Sequence, residues 1–118
     1  MNYKLLLIGS LLFLLGQSLS WFQTNGQFVS EWIKDNPILT SLLGGIPIGL
    51  SYIYGTTYIV EAFNGALWSA RIIGFATGIL SFSFLTYMFM KEGINLKTGV
   101  IISLATIIIM LQVFWKYE

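Results

Sequence analysis

Residues 37–90 read PILTSLLGGIPIGLSYIYGTTYIVEAFNGALWSARIIGFATGILSFSFLTYMFM. The segment holds two long apolar stretches, 37–59 and 66–90, which are separated by a short hinge that contains Glu61 and Asn64. Each stretch exceeds the roughly 20 residues that an α-helix needs to cross a hydrocarbon core about 30 Å thick. The segment therefore predicts a hairpin of two membrane-spanning helices.

Two further apolar stretches flank this hairpin, at residues 5–22 and 98–115. The whole chain of 118 residues is 56% hydrophobic and only 9% charged, whereas about a quarter of the residues in a soluble protein are charged. Its mean hydropathy is +0.79. We predict one membrane domain over 1–118, an all-α bundle of four transmembrane helices that lies in the lipid bilayer of the cell (inner) membrane.

The first stretch has a second interpretation. Lys4 precedes an apolar run, and Ser18, Leu19 and Ser20 form a small-x-small motif, as in a secretory signal peptide. A permanent span is the favoured interpretation, because three further spans make an N-terminal helix ordinary.

The polar segment between the first two spans predicts a short amphipathic helix over residues 27–35. Its apolar side chains recur at helical spacing, and Trp32 is suited to the headgroup region. The alternative is an ordinary loop anchored by this tryptophan. Asn36 and Pro37 then predict a helix start, because Asn caps free N–H groups and Pro has none to lose.

Composition also excludes several classes of function. The chain has no Cys and no His, which removes disulfides, thiolate or imidazole metal sites and histidine-based acid–base catalysis. A net charge of +1 without a basic stripe argues against a nucleic-acid partner. We expect no enzyme activity, no metal and no cofactor, since no nucleophile is accompanied by a base.

Small residues form two candidate helix-packing grooves. Gly45 and Gly49 lie one turn apart in the second span, and Ala70, Gly74 and Gly78 repeat every four residues in the third. Such small-xxx-small patterns let helix backbones approach closely in membranes. Each groove is either an internal packing seam or the seam of a homodimer.

Polar residues within the spans are the candidate substrate-binding site. Ionisable groups near the membrane are costly and often mark transport routes, which singles out Glu61 and Arg71. The alternative is an interfacial ion pair that only fixes the hairpin. The predicted site is Gln17, Tyr54, Tyr58, Glu61 and Arg71, although Gln17 could serve only as a hydrogen bond between helices and the tyrosines as interfacial belts.

Basic residues do not favour one orientation. With four spans, Lys4, Arg71 and Lys116 lie on one side of the membrane, and Lys34, Lys91 and Lys97 lie on the other. The positive-inside rule therefore gives no preference. Either both termini are cytoplasmic, or the chain inserts both ways and forms an antiparallel homodimer.

The second half of the chain resembles the small four-span members of the drug/metabolite transporter superfamily, in particular the small multidrug resistance proteins. The shared features are a third span rich in small residues, the turn Met90-Lys91-Glu92-Gly93-Ile94, and an aliphatic last helix that opens with Lys97-Thr98-Gly99. The resemblance implies a four-helix membrane fold, a homodimer, and the binding or movement of a small solute between helices.

One departure from that family concerns the mechanism. Proton-coupled small multidrug resistance proteins carry an essential Glu in the first helix, where this chain has no acid and only Gln17. Glutamine cannot release a proton, so that antiport mechanism does not transfer. Two other functions stay open: a structural or assembly subunit of a larger membrane complex, and a small holin-like or viroporin-like pore.

Overall fold

The computed structural model describes residues 1–115, so Lys116 of the charge comparison lies outside the described residues. Residues 1–115 form helices and turns and contain no β-strand. The elements are α1 (Tyr3–Asn25), a 3₁₀ turn (Gly26–Phe28), α2 (Glu31–Asp35), α3 (Pro37–Ala62), α4 (Leu67–Met90) and α5 (Leu96–Phe114). Of these, α1, α3, α4 and α5 are long and apolar enough to cross a membrane, which confirms the predicted all-α fold with four transmembrane helices.

The four long helices lie side by side in the order α3, α1, α4, α5. The first helix packs against both α3 and α4, whereas α5 packs mainly on α4. The Cα atoms span 51 × 36 × 18 Å, and the middle dimension fits a row of four helices about 8–10 Å apart. The bundle is therefore flattened into a layer with α1 near its middle.

A small core joins α1, α3 and α4. Phe13 of α1, Ile59 of α3, and Ala70 and Ile73 of α4 are all buried and form one cluster. By contrast, the last helix contributes only one fully buried residue, Ala105. Most of the apolar surface of α5 is thus left for lipid or for another protein.

Glycine brings α1 and α3 together. A Cβ atom built on Gly55 would lie 2.8 Å from Cδ1 of Phe13 and 3.3 Å from the carbonyl oxygen of Gly9. A Cβ atom on Gly9 would lie 2.7 Å from Cγ1 of Ile59. Any side chain here would separate the two helices, so the contact between Gly9 and Gly55 sets their distance.

The hinge after α3 is a Schellman turn. The N–H of Gly65 donates to the carbonyl of Val60 at 2.8 Å, and the N–H of Asn64 donates to that of Glu61 at 3.2 Å. Asn64 and Gly65 adopt φ of 58° and 92°, the left-handed region that these two residue types tolerate best. This turn reverses the chain within four residues and directs α4 back across the layer.

The segment that joins α1 to α3 differs from the predicted helix over residues 27–35. It forms the separate turn Gly26–Phe28 and the single-turn helix Glu31–Asp35, because Ser30 is extended with φ of −131° and ψ of 125°. Helix α3 begins at Pro37 as predicted, but the Asn36 side chain does not cap it. Asn36 Nδ2 instead donates to the carbonyl of Trp32 at 2.8 Å and so satisfies the end of α2.

Candidate functional site

A cleft of about 550 Å³ opens between α1, α3 and α4, and we call it the inner cleft. Its volume lies within the range of small-molecule sites, about 300–1,000 Å³. Its walls are mainly apolar and aromatic, with a few polar groups. The lining residues are Phe13, Gln17, Tyr52, Thr56, Leu67, Ala70, Arg71, Gly74 and Phe75.

A second cleft of about 580 Å³, the outer cleft, lies along α4 towards α5. It shares Gln17, Arg71 and Phe75 with the inner cleft and extends to Ser83 on α4 and Thr98 on α5. The two clefts are therefore neighbours that meet at the same glutamine and arginine.

Gln17 is held at this junction by α4. Its Nε2 atom donates to the carbonyl of Gly74 at 3.0 Å. A Cβ atom on Gly78 would lie 2.8 Å from the same nitrogen, so the amide needs a residue without a side chain beneath it. A Cβ atom on Gly74 would lie 3.7 Å from Phe13, an ordinary van der Waals distance. Gly74 and Gly78 thus leave room on α4 for Phe13 and Gln17 of α1.

The structure brings together Gln17 and Arg71 but not the other residues of the predicted site. Glu61 lines a neighbouring surface depression with Thr57 and Asn64, which shares Thr56 with the inner cleft but does not include Arg71. Within residues 1–115, no carboxylate oxygen lies within 4.0 Å of the Arg71 guanidinium. Glu61 and Arg71 therefore form no ion pair, although the surfaces that they line adjoin at Thr56.

The tyrosines of α3 are divided between its faces. Tyr54 is 54% exposed, and neither Tyr54 nor Tyr58 lines the inner cleft. Tyr52 is the tyrosine that does line it, and its hydroxyl lies 3.1 Å from Ser20 Oγ. The cleft thus uses Tyr52 and Thr56, which lie one turn apart.

A seam of hydrogen bonds closes α1 against its neighbours beyond the clefts. Ser18 Oγ and Ser81 Oγ lie 3.0 Å apart, and Trp21 Nε1 donates to Thr86 Oγ1 at 3.0 Å. The sequence does not predict these two hydrogen bonds, although it indicates Gln17 as a candidate for a bond between helices. The available signal was the polar run over residues 17–21, which is unusual inside an apolar span.

Within 1–115, no group of three or more His, Cys, Asp or Glu side chains is placed to hold a metal ion. No family model, curated protein or solved structure matches this chain.

Proposed function

We propose that this protein is a transporter-like membrane protein that binds, and moves, a small solute between its helices. The observation that carries the proposal is the inner cleft, where apolar walls from three helices enclose a few polar groups. We also propose that the protein resembles the small drug/metabolite transporters, lies in the cell membrane and catalyses no reaction.

A pair of neighbouring threonines gives the test. Thr56 lines the inner cleft, whereas the adjacent Thr57 does not. The full chain in lipid nanodiscs is screened for solutes that raise its melting temperature, and those found are assayed for uptake into proteoliposomes. We expect Thr56→Trp to abolish binding and uptake, and Thr57→Trp to retain both.

Two results contradict the proposal. One is a screen of cationic, neutral and anionic solutes in which none stabilises the protein. The other is equal binding by the two tryptophan variants, provided that both fold with the same helical content by circular dichroism.

We further propose that the protein is a homodimer that pairs through the outer face of α3. A Cβ atom on Gly45 or on Gly49 would meet no atom within 4 Å, so this groove has no partner within the described chain. The neighbouring Leu42, Ile46 and Ile53 are each more than 60% exposed. Small residues flanked by apolar ones are the usual surface for close helix pairing in a membrane.

Cross-linking tests the dimer directly, because the chain has no cysteine of its own. We expect Gly45→Cys to form a disulfide-linked dimer in native membranes. Leu7→Cys, an exposed position on α1, serves as the control that does not. If Gly45→Cys instead cross-links to a different protein, the second candidate function, an assembly subunit of a larger membrane complex, is favoured.

A further inference from the structure

Among residues 1–115, Arg71 is the only charged side chain that lines either cleft. The remaining described residues that line the inner and outer clefts include no Lys, Asp or Glu. The acid nearest in sequence, Glu61, lines the adjoining depression, which shares Thr56 with the inner cleft but does not include Arg71. A bound cation would therefore meet a positive charge without a compensating carboxylate, whereas a bound anion would meet its counter-charge.

The position of Arg71 makes an anionic partner energetically important. It lies four residues after Leu67, the first residue of α4, which is about 6 Å along the helix axis. A charge this close to the start of a membrane-spanning helix is expensive wherever it lies below the headgroups without a partner. The guanidinium has five N–H donors, and among residues 1–115 no carboxylate lies within 4.0 Å of it.

We propose that the inner cleft binds an amphipathic anion, with its carboxylate or phosphate on the Arg71 guanidinium and its apolar part between Phe13 and Phe75. This inference rests on the proposed function, since it names the class of solute. The planar guanidinium matches carboxylate and phosphate oxygens with two parallel hydrogen bonds. Thr56 on the opposite wall adds a hydroxyl group.

The same chemistry can come from two sources. One is a free amphipathic anion that enters the cleft, and the other is the phosphate of an anionic lipid whose chain follows the apolar wall. Both ligands would bind the Arg71 guanidinium and the aromatic walls, so the experiment has to distinguish the free anion from the lipid.

The test measures binding of octyl phosphate to the full chain in phosphatidylcholine nanodiscs, with octyltrimethylammonium as the cation of equal chain length. We expect octyl phosphate to bind more tightly than the cation. Arg71→Gln should weaken its binding by about 10- to 100-fold, as expected for a lost hydrogen bond to a charged group. Lys4→Gln removes a cation near the same membrane surface but outside the clefts, and it should leave binding unchanged.

The Arg71→Lys variant keeps the test decisive if Arg71→Gln does not fold. Lysine retains the charge but not the planar fork, so we expect an intermediate loss of octyl phosphate affinity. Nanodiscs that contain phosphatidylglycerol then separate the two sources. Competition with octyl phosphate identifies a lipid headgroup as ligand, and its absence identifies a free anion.

The inference and the proposed function fail in different ways. Equal or tighter binding of the cation, or unchanged binding of octyl phosphate in Arg71→Gln when Thr56→Trp abolishes it, overturns the anion and leaves the solute cleft standing. If neither probe binds, or if Thr56→Trp changes the binding of neither, the cleft itself is overturned as the site.

Discussion

At the scale of single residues, glycine matters most where α1 meets α3. A methyl group on Gly55 would lie 2.8 Å from Phe13 and 3.3 Å from the backbone of Gly9, and the backbone cannot yield as a flexible side chain would. We expect Gly55→Ala to lower the free energy of unfolding by about 1–3 kcal/mol, the usual cost of overpacking.

The control for this prediction is Gly99→Ala in α5, which lies outside the proposed dimer surface. A Cβ atom there would meet only Ile94, at the ordinary van der Waals distance of 3.9 Å, so this variant should keep or slightly raise stability, because alanine is the better helix former. Both variants are measured by reversible unfolding in mixed detergent micelles. Equal stability of the two variants would contradict the close approach of Gly9 and Gly55.

The bond between Trp21 and Thr86 is a second residue-scale prediction. Trp21 is 3% exposed, and its ring also packs against Phe22 and Phe89, so packing and hydrogen bonding both hold it. We expect a double-mutant cycle of Trp21→Phe and Thr86→Val to give a coupling energy of about 0.6–1.7 kcal/mol, the range for such bonds between membrane helices.

The same unfolding assay measures this cycle, with Ser103→Ala as a control. The Ser103 hydroxyl donates only to Gly99 of its own helix, so its loss should leave the association of α1 with α4 unaffected. Additive effects of Trp21→Phe and Thr86→Val would show that packing alone holds the tryptophan.

At the scale of helices and turns, the hinge between α3 and α4 depends on its backbone conformation. Gly65 has φ of 92°, where an L side chain is strained, and no atom lies within 4 Å of a Cβ built there. Strain, and not crowding, therefore decides the effect of substitution. We expect Gly65→Val to cost about 1–2 kcal/mol of stability, while Asn64→Gly, at φ of 58°, is neutral or stabilising.

The hinge variants are compared by unfolding and by proteolysis of the turn in liposomes. Faster cleavage of Gly65→Val than of the parent chain would follow from a loosened turn. Equal destabilisation by Asn64→Gly would contradict the left-handed conformation as the cause.

The helices and turns also show how much of the fold can be predicted from the sequence. Four long spans follow from length and hydropathy alone, because each apolar run is sufficient to cross the bilayer. The linker between α1 and α3 is harder to predict, since one extended residue, Ser30, divides the expected helix into two pieces. The length of a span is set by the thickness of the hydrocarbon core, whereas the conformation of a single turn depends on local backbone preferences.

The candidate site was harder to predict for a related reason. Gln17 and Arg71 were identified because polar side chains are rare in spans, but the tyrosine that lines the cleft is Tyr52 and not Tyr54. These two residues lie on different faces of α3, and a helix that is apolar all round has no periodicity to indicate which face is inward. Helix rotation is set by the contact of Gly55 with Gly9, which only the packed structure reveals.

At the scale of the whole molecule, the flattened layer leaves much of its apolar surface to the surroundings. Helix α5 has one buried residue and α3 has four, of which Ser51, Gly55 and Ile59 lie one turn apart along the side that faces α1. A monomer in lipid can keep this shape because lipid covers apolar faces as well as protein does. The outer face of α3 and the face of α5 that does not pack on α4 are therefore the surfaces on which a second copy would change the stability most.

Orientation in the membrane is the remaining property of the whole chain, and it depends on few charges. Within the described residues, Lys4 and Arg71 flank one membrane surface, and Lys34, Lys91 and Lys97 flank the other. Because Lys and Arg near the span ends set orientation, this near balance should tip with one or two substitutions. We expect Lys91→Gln with Lys97→Gln to increase the fraction of chains with cytoplasmic termini, and Lys4→Gln to decrease it.

Paired C-terminal reporters, one active in the cytoplasm and one outside it, measure that fraction. Replacing acids instead, as in Glu31→Gln or Glu92→Gln, is the control that should have little effect, since acids contribute little to orientation. If the reporters respond to neither set of lysine substitutions, helix packing and not charge determines how the layer inserts.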